Sequence, residues 1–319
     1  MYSGILVIDK PNDWTSHDVV AKLRGVFKQK RVGHGGTLDP MATGVLPVFV
    51  GRATRAAEFC ENAEKEYIAG IRLGITTDTQ DITGNVLTQS EMTTSVNELA
   101  DKLTEIFPQF RGEIEQIPPM YSAIKQGGKK LYELARRGLE VERKARDVFI
   151  STLELLTEAD CPVFSDSPVS SNPAVSPCLQ ESKYIDFNLR VVCSKGTYIR
   201  TLCHDIGSAL GYGATLSSLR RTRAGAYGIE SAYTLDSVIS ANTENNLRDL
   251  LLPIDSIFPE MPSISLNEAN TRKVKNGVRI KIPGDESGKY KVYAPDGEFL
   301  LLGEVLSGEL RAIKSFYEV

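Results

Sequence analysis

A glycine-rich turn that runs into a short apolar segment is the feature of this sequence that most restricts its fold. Residues 33–50 read GHGGTLDPMATGVLPVFV. The glycines permit backbone conformations closed to other residues and let a ligand approach the main chain closely. Pro40 holds Asp39 out of the helical region, and residues 45–50 are typical of a buried strand. The pattern therefore predicts a stiff turn that presents one carboxylate, Asp39, beside His34.

The residues of this turn also permit a purely structural interpretation. Asp before Pro is a common helix N-cap with proline at the first helical position, and on that ground alone Asp39 is more often a cap than a catalyst. His34 can equally be a turn histidine whose hydrogen bonds are satisfied locally. Both alternatives stay open until other parts of the chain are considered.

The size and composition of the chain indicate a globular protein. Its 319 residues, 41% of them hydrophobic, suffice for one large domain and a smaller one. Five cysteines without CxxC spacing and only three histidines predict neither a disulfide framework nor a metal site. No apolar run approaches the roughly 20 residues that a bilayer requires, and no leader pattern is evident. We expect a cytoplasmic protein.

The net charge of −4 argues mildly against a nucleic-acid partner, but the basic residues are clustered. One such run is usually a solvated helix face, whereas four runs favour a polyanion partner. The runs are Lys22, Arg24, Lys28, Lys30 and Arg31; Lys125, Lys129, Lys130, Arg136, Arg137, Arg143, Lys144 and Arg146; Arg220, Arg221 and Arg223; and Arg272, Lys273, Lys275, Arg279 and Lys281.

Hydrophobic periodicity predicts both strands and helices along the chain. Strands are expected at 5–8, 45–50, 67–73, 149–156 and 185–191, and helices after the N-caps Ser16, Ser95 and Ser265 and from residue 199. A proline-rich break at 251–262 separates a small, largely β segment. Residues 161–178 are dominated by serine and proline and predict a disordered insertion.

Six motifs in order along the chain together resemble the tRNA pseudouridine(55) synthases, the TruB family. The resemblance covers residues 4 to about 235, and the tail after about residue 252 is similar, less specifically, to the small C-terminal RNA-binding domain of that family. The motifs are DKP at 9–11, GHGGTLDPMATGVLP at 33–47, KEY at 65–67, TDTQD at 77–81, IPPMYSAIK at 117–125 and CSKGTYIRTL at 193–202.

The resemblance implies a fold and an activity. The fold is α+β (mixed α/β), with a pseudouridine-synthase-like catalytic domain at 1–251 on a long, mainly antiparallel sheet and a small, mostly β, PUA-like domain at 252–319. The activity is that of an isomerase that flips a uridine out of the T-loop of tRNA and exchanges its C–N glycosidic bond for a C–C bond. The implied partner is tRNA; no cofactor, metal or membrane is implied, and we expect a monomer.

The resemblance also assigns site residues. Asp39 matches the catalytic aspartate, and a carboxylate can either attack C1′ or remove a proton from C2′ to give a glycal, between which the sequence does not choose. An ionised aspartate in a dry pocket needs a cation, and Arg200 matches the arginine of that role. The residues matched to substrate binding are His34 (which takes the place of the flipped base), Tyr67 (which stacks on the uracil), Tyr198, Arg200 and Leu219.

Taken without the resemblance, three of these residues have ordinary structural explanations. Arg200 is as readily a surface helix arginine, Tyr67 follows an apolar row and is more often core, and Leu219 passes as plain packing. Two positions also depart from the family pattern. Gly35 stands where threonine or another small residue is common, which we expect to be harmless to the chemistry. Asp13 stands where glycine is usual, which leaves the loop conformation and the role of Lys10 open.

Two rival functions come from other classes. The first is a noncatalytic RNA-binding or tRNA-folding protein that uses the same cleft. Against it stands Asp39, because an anion does not help a cleft to bind phosphates. The second is a metal-dependent nuclease or phosphatase that uses Asp78 and Asp81, although TDTQDITG lacks the spacing of a calcium loop.

Overall fold

We describe a computed structural model of the chain that covers residues 1–157, 184–282 and 286–318. The insertion predicted at 161–178 lies outside the described residues. Contacts divide the chain into two compact units, the first formed by Met1–Ala63 with Arg223–Val319 and the second by Glu64–Thr222. No helix in the described ranges is both long enough and apolar enough to cross a bilayer.

The amino-terminal part of the first unit is a three-stranded antiparallel sheet with helices. Its elements are β1 (Gly4–Lys10), α1 (Ser16–Phe27), β2 (Val32–His34), β3 (Thr43–Val50), a 3-10 helix (Gly51–Ala56) and α2 (Ala57–Asn62). β3 lies between β1 and β2 and is almost fully buried, as its apolar run predicts. The strands predicted at 5–8 and 45–50 are therefore confirmed.

The N-cap predicted for α1 is wrong by one residue. Thr15, not Ser16, caps the helix: its side chain accepts a hydrogen bond from the Asp18 N–H, and the Asp18 carboxylate accepts one from the Thr15 N–H. Ser16 is buried instead, and its hydroxyl exchanges hydrogen bonds with Leu38. A hydroxyl engaged across the fold is not available for capping, which helical periodicity alone does not reveal.

The second unit contains a five-stranded part of a sheet and three helices. Its elements are β4 (Lys65–Leu73), β5 (Ile75–Thr77), β6 (Val86–Gln89), α3 (Val96–Ile106), a 3-10 helix (Phe107–Phe110), β7 (Gly112–Gln116), β8 (Lys125–Gln126), β9 (Lys129–Lys130), α4 (Leu131–Ala135), β10 (Arg146–Leu156), β11 (Ile185–Cys193), α5 (Ile199–Leu210) and β12 (Ala214–Ala224), whose last two residues belong to the first unit.

The sheet strands of the second unit follow the order β12, β4, β11, β10, β7. β4 pairs with β11, β11 with β10 and β10 with β7, all antiparallel. Ser95 caps α3 as predicted, and its hydroxyl accepts from the Glu98 N–H. α3 packs with α5, whose inner face includes Ile199, Cys203 and Ile206. This arrangement fixes α5, which carries two predicted site residues.

The carboxyl-terminal part of the first unit carries a second sheet. Its elements are β13 (Tyr227–Gly228), a 3-10 helix (Ile229–Ser231), α6 (Leu235–Thr243), a 3-10 helix (Ile254–Ile257), β14 (Ser263–Ser265), α7 (Glu268–Lys275), β15 (Ile280–Lys281), β16 (Gly288–Tyr293), β17 (Phe299–Leu306) and β18 (Glu309–Ser315). The strand order is β14, β16, β17, β18, β15. The mixed α+β class and the small, mostly β tail are thus confirmed.

The N-cap predicted for the helix of this tail is also wrong. Asn267 caps α7 and accepts a hydrogen bond from the Asn270 N–H, whereas Ser265 ends β14. β14 continues through Ser265, where the capping pattern places the helix cap. The next residue, Leu266, donates a further hydrogen bond to the Tyr293 carbonyl, so the helix cap falls two residues later, at Asn267. Residues 295–297 form the hairpin turn between β16 and β17, with Gly297 at φ 86°.

The tail shares one hydrophobic core with the first strands of the chain. Ile5 and Val7 of β1 belong to the same buried cluster as Leu302 and Phe316. β1 also exchanges backbone hydrogen bonds with later residues: Ile5 with Leu252 at 2.9 and 2.8 Å, and the Tyr233 N–H donates to Val7 at 2.9 Å. The residues after 252 therefore form a common compact unit with the first 63 residues.

Candidate active site

Asp39 opens a β-turn and does not cap a helix. The Ala42 N–H donates to the Asp39 carbonyl at 3.0 Å, and β3 begins at the next residue, Thr43. Pro40 takes the second turn position, for which its fixed φ is suited. The helix-cap interpretation is therefore wrong, and the half-buried Asp39 side chain is not used as a helix cap.

Both neighbours of Asp39 are held by side chains from earlier in the chain. The Leu38 N–H donates to Ser16 Oγ at 2.9 Å, and Ser16 Oγ lies 3.1 Å from the Leu38 carbonyl. On the other side, the Pro40 carbonyl accepts from Lys10 Nζ at 3.1 Å and from the Asp13 N–H at 3.0 Å. The aspartate thus stands between two fixed peptide units.

Lys10 is the centre of this support. Its side chain is fully buried, and Nζ donates to the carbonyls of Pro11 at 2.8 Å, Trp14 at 2.6 Å and Pro40 at 3.1 Å. Because an ammonium has three N–H donors, these carbonyls can satisfy it fully. The sequence left the role of Lys10 open; the structure gives it a positioning role in the Asp39 turn.

Asp13 has the backbone conformation that glycine would favour. Its φ is 63°, in the left-handed region, which aspartate tolerates better than most residues. The loop conformation that the departure from the family pattern left open is therefore the left-handed one. Its N–H still reaches Pro40, so the substitution preserves the contact to the Asp39 turn.

His34 ends β2 and meets a second imidazole. The rings of His17 and His34 lie edge to face, with centroids 5.4 Å apart and planes at 84°. The next residue, Gly35, donates its N–H to Pro47 at 2.9 Å, and Cys60 Sγ lies 3.7 Å from its carbonyl. A Cβ at Gly35 would lie 2.8 Å from both Cys60 Cβ and Phe49 Cε2. The packing around residue 35 therefore leaves no room for a side chain larger than that of glycine.

The other predicted residues lie in the second unit. Tyr67 is on β4, only 9% exposed, in the row of Ala69 and Ile71, as the alternation predicts. Leu219 is buried on β12 at 8% exposed. Tyr198 is the half-buried N-cap residue of α5, and Arg200 lies in its first turn. Their positions on strands and at a helix start give them rigid supports.

Arg200 is not a surface arginine. Its side chain is 5% exposed, Nη1 donates to the Thr79 carbonyl at 3.1 Å, and Nη2 donates to the Tyr121 carbonyl at 2.8 Å. Nη1 also lies 3.7 Å from Asp81 Oδ2, and Asp81 is itself buried. A buried guanidinium needs such partners to offset its desolvation. The surface-helix interpretation is therefore wrong.

Asp78 and Asp81, the residues of the rival metal site, are used in local structure. Asp78 accepts from the Asn85 N–H at 2.8 Å and from Asn85 Nδ2 at 3.0 Å. Asp81 accepts from the Thr83 N–H at 3.0 Å and from Thr79 Oγ1 at 2.8 Å. Across the described ranges, no group of three His, Cys, Asp or Glu side chains could hold a metal ion.

The segment between β7 and β10, residues 117–145, forms the basic arm. β8 and β9 make a hairpin through Gly127 and Gly128, and α4 follows. Two cations lie against the Tyr132 ring, with Lys130 Nζ 5.3 Å and Arg136 Cζ 5.4 Å from its centroid. At the root of the arm, Arg143 Nη1 donates to the Pro118 carbonyl at 3.0 Å. The arm thus presents cations on an ordered frame.

Several residues that support the site were not assigned to it by the sequence. Lys10 and Asp81 lie inside quoted motifs, so their position was a signal, whereas Ser16 was predicted only as a helix cap and Gln116 gave no signal. Gln116 is 2% exposed and hydrogen-bonds both backbone groups of Tyr198. The three described cysteines, Cys60, Cys193 and Cys203, are buried free thiols; burial raises the pKa of Cys193 to about 11.

Comparisons with known proteins give consistent matches. Residues 24–199 match the model of the TruB family pseudouridylate synthase N-terminal domain, and residues 200–259 match that of the tRNA pseudouridylate synthase B C-terminal domain. A tRNA pseudouridine synthase B of Syntrophomonas wolfei is 45% identical over 94% of this chain and 93% of its own length. One from Bacillus pumilus is 37% identical over 95% and 93%.

A solved structure supports the fold. The crystal structure of a Cbf5-Nop10-Gar1 complex contains a chain that superposes with a TM-score of 0.68 at 25% identity, covering 98% of this chain and 85% of that one.

Proposed function

Because the chain belongs to the TruB family of pseudouridylate synthases, we propose that it is a tRNA pseudouridine synthase that isomerises uridine 55 in the T-loop. The membership confirms the resemblance indicated by the six ordered motifs. The substrate is tRNA, the reaction is an isomerisation, and the working form is a cytoplasmic monomer.

The observation that carries the proposal is the presentation of Asp39. Its carboxylate extends from a turn whose flanking peptide units are fixed by Ser16, Lys10 and Asp13. A nucleophile or base gains most when its position is set before the substrate arrives, because orientation need not then be provided during the reaction. A protein that only bound RNA would gain nothing from an anion held so firmly.

We propose that Asp39 initiates bond exchange at the ribose. It either attacks C1′, so that the N1–C1′ bond breaks and the uracil leaves with the electron pair, or removes a C2′ proton to give a glycal. The uracil then turns and C5 bonds to C1′, either as the Asp39–C1′ bond breaks and frees the carboxylate or, from the glycal, as Asp39 returns the proton to C2′. The proton on C5 is lost while N1 gains one. Substrate and product are isomers, so the exchange needs no net oxidant or reductant.

The binding residues serve steps before and after cleavage. A uridine in a folded loop must leave its stack, which costs a few kcal/mol; His34, supported edge-on by His17, takes its place. Tyr67 stacks on the uracil, Tyr198 and Leu219 contact the target nucleotide, and Arg200 has, by the family resemblance, the role of cation for Asp39. The basic arm binds phosphates, which contributes affinity and little sequence preference.

The decisive experiment is incubation of the protein with unmodified tRNA, followed by chemical mapping of pseudouridine. Asp39→Asn should abolish product while tRNA affinity stays within about twofold, because only a reacting carboxylate is lost. Asp78→Asn is the matched control, because Asp78 accepts its hydrogen bonds from Asn85 within its own turn, and it should keep full activity. Unchanged product with Asp39→Asn would favour the noncatalytic RNA-binding alternative.

A further inference from the structure

The N–H and C=O of one predicted site residue, Tyr198, are both held by a single buried side chain. The Tyr198 N–H donates to Gln116 Oε1 at 3.0 Å, and Gln116 Nε2 donates to the Tyr198 carbonyl at 3.3 Å. A primary amide offers one acceptor and donors on adjacent atoms, so it can mimic a strand partner. Gln116 is 2% exposed, so water does not compete for these bonds.

This pair sets the start of α5. The Tyr198 carbonyl also accepts from the Leu202 N–H at 3.0 Å, which is the first backbone bond of the helix. Tyr198 has no side-chain cap of its own. The Tyr198 N–H is held instead by the Gln116 side chain. Gln116 therefore fixes the φ and ψ of Tyr198 and the position from which Arg200 extends two residues later.

The same contacts lead to the basic arm. Gln116 is the last residue of β7, and the arm begins at the next residue. Five residues after Gln116, the Tyr121 carbonyl accepts from Arg200 Nη2 at 2.8 Å. The Tyr132 N–H in α4 then donates to the Ser122 carbonyl at 3.1 Å. Gln116 and Tyr121, on either side of the point where the arm begins, are thus hydrogen-bonded to two site residues at the start of α5, Tyr198 and Arg200.

We propose that Gln116 is a positioning residue for Tyr198 and Arg200, which joins the start of α5 to the root of the basic arm. The inference rests on the proposed function, because it concerns the residues assigned there to the target nucleotide. Gln116 itself does not touch the reacting atoms in this scheme. It holds the side chains of Tyr198 and Arg200, which are assigned to the target nucleotide, in place beside the RNA-binding arm. Loss of Gln116 should therefore slow the reaction more than it weakens tRNA binding.

The chain contains a matched control for this pair. Gln29 makes the same reciprocal contacts with Tyr2: the Tyr2 N–H donates to Gln29 Oε1 at 3.2 Å, and Gln29 Nε2 donates to the Tyr2 carbonyl at 3.1 Å. Tyr2 has no assigned role at the site. Gln29→Met and Gln116→Met therefore remove the same two hydrogen bonds with the same change in side chain.

The experiment compares the two variants with the wild-type protein on unmodified tRNA. We expect Gln116→Met to lower the single-turnover rate at saturating tRNA by about 10- to 100-fold, as misplacement of contacting groups does, with the tRNA Kd within about twofold. Gln29→Met should keep the wild-type rate. Gln116→Asn, which keeps the amide on a side chain too short to reach both Tyr198 groups, should give an intermediate rate and serves if Gln116→Met does not fold.

A second readout separates positioning from general damage. In tRNA with 2-aminopurine beside the target uridine, fluorescence reports base flipping, which should stay near wild type while the isomerisation rate falls. An unchanged rate in both Gln116 variants would overturn the inference. It would also be overturned if tRNA affinity fell by the same factor as the rate and the melting temperature fell with it, because the variant would then be generally damaged. A wild-type protein that forms no pseudouridine would instead refute the proposed function, so the two failures are distinguishable.

Discussion

At the scale of single residues, the site depends on side chains that hold backbone rather than substrate. Lys10, Ser16 and Gln116 are buried, and each one hydrogen-bonds main-chain groups of other residues. A buried polar group left without its partner costs about 1–3 kcal/mol, so such contacts fix one conformation strongly. The residues assigned to chemistry and those that hold them in place are thus different sets.

Two neighbouring glycines should respond oppositely to alanine. A Cβ at Gly35 would lie 2.8 Å from Cys60 Cβ and Phe49 Cε2, whereas nothing lies within 4 Å of one at Gly33. We expect Gly35→Ala to lower the free energy of unfolding by about 1–3 kcal/mol through overpacking. Gly33→Ala should be neutral or stabilise by up to about 1 kcal/mol, because the unfolded chain loses entropy. Urea denaturation measures both.

Equal effects of the two alanines would show that the turn relaxes around the added methyl group. The comparison needs no assay of activity, which keeps stability separate from any contact between the glycines and RNA. The m-values should match that of the wild type, since the substitutions alter packing and not the surface exposed on unfolding.

The local backbone of the proposed site residues was easier to predict than their surroundings. Glycines and proline predicted the turn that presents Asp39, and alternation predicted the strand of Tyr67, because those signals are local; their roles at the site are implied only by the family resemblance. The contacts of Gln116 and Ser16 gave no signal, since their partners Tyr198 and Leu38 are 82 and 22 residues away. Hydrogen bonds over such separations depend on tertiary structure, which periodicity does not encode.

At the scale of elements, the pattern identified strands and helices but misplaced helix starts. The apolar runs of β1, β3 and β11 were correct because burial follows from their periodicity. The caps of α1 and α7 were assigned to Ser16 and Ser265 and belong to Thr15 and Asn267. The capping rule accepts serine, threonine and asparagine alike, so it does not choose between neighbouring candidates near a helix start. The choice depends on which side chain actually accepts the backbone N–H.

Glu298 joins two elements of the first unit, and its contribution should depend on pH. It lies 2.8 Å from Lys275 of α7 and 3.1 Å from Arg52 of the 3-10 helix after β3. The hydrogen bond from Lys275, assisted by Arg52, lowers the pKa of Glu298 below its usual 4.5. A carboxylate with a lowered folded-state pKa stabilises the fold above the unfolded value and loses that effect as pH falls through the folded value.

Glu298→Gln should therefore lower the free energy of unfolding by about 0.5–1 kcal/mol at neutral pH, and the difference should shrink as the pH falls below about 4.5. Chemical denaturation from pH 3 to 7 tests this. The ion pair of Lys102 with Glu98 on α3 provides a control at an exposed helix face, where Glu98→Gln should have a smaller effect. A Glu298→Gln difference that stays constant down to pH 3 would contradict the assignment.

At the scale of the whole molecule, a net charge of −4 coexists with a proposed RNA substrate. The arm concentrates cations in a short segment, so affinity can arise locally while the chain as a whole carries a net negative charge. Each phosphate contact releases counterions and makes binding dependent on salt. The arm rather than the total charge should set that dependence.

Lys125 and Lys129 of the arm are exposed and suited to a direct test. Changing either lysine to alanine should weaken tRNA binding and reduce the magnitude of the slope of log Kd against log salt by about 1. The single-turnover rate at saturating tRNA should not change. Lys102→Ala removes a lysine already paired with Glu98 at 2.9 Å and should leave the slope unchanged. Equal slopes in all variants would place the RNA contacts elsewhere.

The core that β1 shares with the carboxyl-terminal tail has a consequence for biosynthesis. β1 is translated long before its hydrogen-bond partner Leu252 and its core neighbour Phe316. At about 5–20 residues per second, the strand waits on the order of 10–50 s for residue 252. The contiguous unit Glu64–Thr222 can complete its own contacts meanwhile. A nascent chain that stalls before residue 252 would therefore lack the part of the core around Ile5 and Val7 that Leu302 and Phe316 supply.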